Sequence, residues 1–70
     1  MRILTQNKSR IVELPAEVWA TRCGDIGIIC STSRFPLLGE YVSEKRACEV
    51  LAEMFNCYKN NESCYTMPEK

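Results

Sequence analysis

The sequence predicts a single small α+β domain, residues 1–70: an antiparallel sheet of about five short strands covered by one C-terminal helix, followed by a short extended tail or strand. Short alternating segments rich in β-branched and aromatic residues, separated by turn residues, occupy the first forty or so positions. Only one stretch, "VSEKRACEVLAEMFNCY" (42–58), carries a helical period. A sheet with its inner face covered by that helix is the simplest way for these elements to bury their apolar sides.

In chain order, "RILT", "QNKS" and "RIVELP" read as strand, polar turn and strand, a hairpin. In the second arm Ile11 and Glu13 fall on one face, Val12 and Leu14 on the other, and Pro15 ends the arm because it cannot donate to a ladder. "EVWATR" alternates Val18 and Ala20 against Trp19 and Thr21; "CGD" breaks it and "IGIIC" resumes, a second hairpin turning at Gly24 and Asp25. "STSRFP" is a loop, and "LLGEYV" a short strand in which Gly39 marks a bulge or a close backbone approach. Ser43 then caps the helix and Glu44 faces the positive end of its dipole. Ala47, Val50, Leu51, Met54 and Tyr58 make its inner face, with Cys48, Ala52 and Phe55 as a flanking strip. "KNNES" ends the helix, since Asn tolerates a left-handed cap, and "CYTMP" forms the last strand or tail.

A 70-residue chain buries only about 60% of the surface its unfolded form exposes, so a partner subunit would add to a small core. Nine Lys and Arg balance nine Asp and Glu, which argues against a nucleic-acid module and predicts no direct nucleic-acid partner. No apolar run approaches the roughly 20 residues of a membrane span, and no signal-peptide core follows Met1, so no membrane partner and a cytoplasmic location are expected. The five cysteines (Cys23, Cys30, Cys48, Cys57, Cys64) read as reduced thiols serving as small hydrophobes. They lack the close ligand pairs of a zinc site, so neither metal nor cofactor is expected.

The chain has no His, hence no Ser-His or Cys-His nucleophile pair, and no glycine-rich phosphate loop. A thiol activated at a helix start leaves Cys48, beside Lys45 and Arg46, as its best candidate; packing is the plainer reading. The expectation is a non-enzymatic protein. Binding chemistry has more material: Arg2, Arg10, Arg22 and Arg34 carry forks suited to phosphate or carboxylate, and Trp19 and Tyr65 offer stacking surface. For each, a plainer role competes: solvated edges for the arginines, core filling for Trp19.

The start "MRILTQNKSRIVELP", the junction "LGEYVSEKRACEVLAEM" and the close "YTMPEK" resemble a group of very short Firmicutes and phage or prophage proteins with no assigned activity. The corresponding features are Arg2 to Gln6, then Leu38, Gly39 and Tyr41, Ser43, Glu44, Ala47, Val50 and Leu51, and finally Tyr65, Met67 and Pro68. The resemblance covers both ends and leaves the segment from Ala16 to Phe35 apart. It implies an accessory gene, with counter-defence as the leading expectation: a homo-oligomeric sponge whose arginines and aromatics sequester a phosphorylated nucleotide signal of the host. The alternatives are an anti-CRISPR-like inhibitor that binds a host defence protein directly, and an accessory protein unconnected with defence.

Overall fold

The structure is a computed structural model and describes residues 1–14 and 17–70. The elements are β1 (Arg2–Leu4), β2 (Ile11–Glu13), β3 (Val18–Cys23), β4 (Ile26–Ser31), β5 (Leu37–Tyr41), α1 (Glu44–Lys59) and β6 (Cys64–Thr66). The α+β class is as expected: short strands, one helix near the C-terminus and a final short strand. The role assigned to Pro15 lies outside the described residues.

The strands form two three-stranded sheets, β2-β1-β6 and β3-β4-β5, rather than one. The reason lies at the junction between them. Beside β5 the chain of β1 has already turned into its loop, where Gln6 takes a single main-chain bond to Leu38 O (3.0 Å) and completes the contact with its side chain. The first hairpin pairs instead with β6, which runs parallel to β1 with Ile3 opposite Tyr65.

Each turn has a local cause. Asn7 Oδ1 accepts from the Ser9 amide and hydroxyl and from Thr5 Oγ1, folding "QNKS" back with Lys8 at positive φ. Gly24 takes the first central position of a two-residue hairpin turn at φ 63°, a conformation that favours glycine. Where β4 meets β5, Ile29 pairs with Gly39 but Cys30 with Leu37, so the expected bulge is present, with Leu38 as the extra residue.

Ser43 Oγ accepts from the Arg46 amide at 3.1 Å and starts α1; Asn61, at φ 59°, follows its end. Ala47, Val50 and Met54 are buried and Leu51 is half-buried, as the period predicts. Tyr58 is the correction: it is 51% exposed, and instead of entering the core it lines an open groove with Leu14, Val18, Leu51 and Phe55. The helix start is held close by Gly27 on β4: a Cβ there would run into the Ser43 carbonyl and lie 2.8 Å from the Glu44 Cα.

Both sheets and the helix feed one core. Ile3, Val12 and Tyr65 enter from the inner face of β2-β1-β6, Ile29, Leu38 and Tyr41 from β4 and β5, and Met67 from the tail. No buried side-chain polar atom lacks a partner among the described residues.

The C-terminal tail is tied down at several points. Tyr41 OH donates to Pro68 O (2.8 Å), Gln6 Nε2 to Glu69 O (2.8 Å), and Arg46 to Lys70 O (2.7 Å), while Lys8 pairs with Glu69 (2.9 Å). The Lys8 ammonium beside it holds the Glu69 carboxyl below its usual range. Gly39 makes room for this strap, since a Cβ there would lie 3.0 Å from the Met67 methyl.

Candidate functional site

The loop between β4 and β5 is shaped by its own hydroxyls. Ser31, 1% exposed, shares a 2.7 Å hydrogen bond with the Ser33 hydroxyl and accepts from the Ser33 amide, and Ser33 Oγ also lies 3.0 Å from Phe35 O. That knot pushes Arg34 and Phe35 outward, and Phe35 stands 60% exposed.

Arg10 reaches the same place from the first hairpin. Its backbone is closed against Thr5, and its Nη2 donates to Leu37 O at 2.8 Å, which fixes the guanidinium at the start of β5. Arg10 and Arg34 then lie over the same ring, 5.5 and 5.7 Å from the Phe35 centroid. Each contact is worth on the order of 0.5–1 kcal/mol at an exposed site. Two cations on one ring also repel each other, and an anion placed between them would relieve that repulsion.

The ring and the two arginines form one wall of an open groove of about 390 Å³. Thr32 supplies a hydroxyl, while that of Ser33 is spent on Ser31 and Phe35 O, and Ile11 and Val12 line the groove beside them. Glu13 also lines it, and Arg2 lies 3.6 Å from that carboxylate. Beside the Glu13 carboxylate the groove therefore offers forked donors, a hydroxyl and an aromatic face within one space, a set suited to a small phosphorylated or carboxylated ligand with a planar ring.

Of the expected binding residues, the fold brings Arg10 and Arg34 together, while Arg2 lies beside Glu13 without lining the groove itself. Arg22, at the far end of β3, and Trp19, on its outer face, do not line the groove. Tyr65 is a core residue, 8% exposed, with its hydroxyl donating to Glu53 Oε1 at 3.3 Å. Burial first, then the nearby Glu53 carboxylate, push its phenol well above the ordinary range. The parallel register explains this, since it places Tyr65 opposite inward-facing Ile3. Phe35, Thr32 and Ser33 are the site residues that sequence reasoning left out; the adjacent Arg-Phe pair in a polar loop was the available signal.

The five cysteines are free thiols. Burial and the neighbouring Cys23 push the Cys30 thiol up, and a hydrogen bond with Glu62 does the same to Cys57, so both are held away from the nucleophilic thiolate. Cys48 is exposed on the helix. Among the described residues no group of three or more acidic, His or Cys side chains is placed to hold a metal, and no helix is long and apolar enough to cross a membrane. No protein family, curated protein or solved structure matches this chain.

Proposed function

We propose that this protein is a non-enzymatic binder of a small phosphorylated nucleotide, held in the groove of Arg10, Arg34 and Phe35. The observation that supports this reading most is the convergence of two guanidiniums on one exposed aromatic ring. The guanidiniums meet phosphate oxygens, the Phe35 ring stacks on the base, and the Thr32 hydroxyl completes the polar wall. Zero net charge fits a small ligand, which needs a few placed groups rather than a long-range field. With the resemblance to small phage and prophage proteins, the biological role we assign is sequestration of a nucleotide signal in host defence.

The alternative, direct inhibition of a host protein through exposed apolar surface, draws on Trp19, Phe55 and Tyr58, which are 38%, 61% and 51% exposed. These belong to β3 and to the helix that covers it.

Thermal shift against cyclic di- and trinucleotides and ADP-ribose derivatives tests the nucleotide reading. A ligand present at about 100 times its dissociation constant adds roughly 2.7 kcal/mol, a readily seen rise in melting temperature for so small a domain. The rise is expected to vanish in Arg34→Ala and Phe35→Ala, each measured against its own ligand-free melting temperature, which falls modestly with the loss of one cation–ring contact in the first and two in the second. A flat panel, or an undiminished rise in both variants, overturns the assignment.

A further inference from the structure

Strand β3 forms one margin of the β3-β4-β5 sheet, and among the described residues only β4 and α1 pack against it. Which of its backbone groups are free follows from the hairpin. In a two-residue hairpin the flanking residues, here Cys23 and Ile26, exchange both of their hydrogen bonds, and bonded pairs then alternate along the ladder. The bond from Thr32 N to Glu17 O (3.0 Å) falls in the same phase. Cys23, Thr21 and Trp19 are therefore spent on β4, and the N–H and C=O groups of Val18, Ala20 and Arg22 point away from the sheet.

Among the described residues of this strand Arg22 is the only charged side chain that protects the margin. The strand runs six residues in unbroken register, with no lysine, proline or bulge. Apolar surface lies on both of its faces. Trp19 stands on the outer face beside half-buried Cys30 and Ile28. On the helix face, Leu14, Val18, Leu51, Phe55 and Tyr58 line a groove of about 160 Å³.

We infer that β3 is a homodimer interface, in which two copies pair antiparallel about a two-fold axis through Ala20 and join their sheets edge to edge. The register is selected by the free groups. A two-fold axis perpendicular to the sheet must pass through a residue opposite itself, because opposed residues share a face. With Ala20 at the axis, Ala20 bonds to Ala20 and Val18 to Arg22 in both directions, so every outward group from Val18 to Arg22 is used. Moving the axis by one residue leaves one of these residues without its bonded counterpart in each copy.

The side chains agree with this register. Trp19 comes opposite Thr21 of the second copy in a non-bonded pair, the closer of the two pair types, and is partly covered by it. Arg22 of the second copy comes opposite Val18, at the apolar groove that contains Phe55 and Tyr58, so its stem and guanidinium meet aromatic rings rather than another cation. No like charges stand opposite each other. With zero net charge, the chain sets no long-range repulsion against a copy of itself. The inference does not depend on the nucleotide reading.

Trp19 is the only tryptophan, so its emission reports this interface directly. Sedimentation equilibrium on the full chain is expected to show twice the 8.0 kDa subunit mass at high concentration. Trp19 emission should shift to the red on dilution, with the same midpoint. Ala20→Pro removes only an outward donor, and Arg22→Pro removes an outward donor together with the guanidinium, so each should keep its circular dichroism spectrum while raising the dimer dissociation constant roughly tenfold or more. A protein monomeric throughout the range overturns the proposal. So does a dimer whose Trp19 emission ignores dilution, or one that survives undiminished in a folded proline variant.

Discussion

The two margins of the β3-β4-β5 sheet are finished in opposite ways. Along β5, Gln6 N–H donates to Leu38 O, the Gln6 side chain accepts from the Glu40 amide and donates to Glu40 O, and Arg10 takes Leu37 O. Along β3, the outward groups of Val18, Ala20 and Arg22 meet no other element among the described residues. The β5 margin is sealed by the two ends of the chain, the first hairpin and the tail from Met67 to Lys70. The difference shows where so short a chain uses its length. It closes one margin from within and, among the described residues, leaves the other open.

Perturbing the sealed side should cost most. Met67 is 1% exposed, so Met67→Ala is expected to destabilise by about 2–5 kcal/mol in urea denaturation. A loss below about 1 kcal/mol would mean the tail is not part of the core. Next comes Gln6→Ala, which removes the side-chain seal on Glu40 and the hold on Glu69. The expected cost is about 1–3 kcal/mol, with faster exchange at the Glu40 amide; unchanged exchange there would place the seal elsewhere.

Alkaline pH should loosen the same side. Burial, opposed by Arg46 and reinforced by Glu53, pushes the Tyr41 phenol from 10.0 up to about 12. The folded chain then keeps a proton that the unfolded chain releases, so this stability is complete below pH 10.0 and is lost as pH rises towards about 12. A pH series of melting temperatures should fall more steeply over that window than in Tyr41→Phe. Parallel curves would contradict the buried, hydrogen-bonded phenol.

The open side should respond least as a monomer. Phe55→Ala is expected to change unfolding free energy by less than about 0.5 kcal/mol at dilutions where the chain is single, while weakening association. A large loss in the dilute monomer would show that Phe55 belongs to the core.

Much of this was legible in the amino acids, and the remainder was not for identifiable reasons. The helix could be read because its signals are local: Ser43 caps it, Asn61 follows it, and the period marks Ala47, Val50 and Met54. Strand alternation likewise set Ile11 and Glu13 on one face and Val12 on the other, and the structure buries Val12. The division into two sheets was not readable, since it rests on parallel pairing between Ile3 and Tyr65, at opposite ends of the chain. That pairing also removed Tyr65 from the candidate site. Arg10 and Arg34 could be named singly, but their meeting depends on the first hairpin lying against the start of β5. Periodicity carries no sign of such a contact.

Residue-resolved amide hydrogen exchange at low and high protein concentration tests the contrast between the two margins most directly. The Leu38–Glu40 side should be protected at both concentrations at the amide of Glu40. Val18, Ala20 and Arg22 should exchange freely when dilute and become protected together when concentrated, while Trp19 and Thr21 stay protected throughout. Exchange at Val18, Ala20 and Arg22 that is the same at both concentrations, whether fast or slow, would contradict an open margin completed by a second copy.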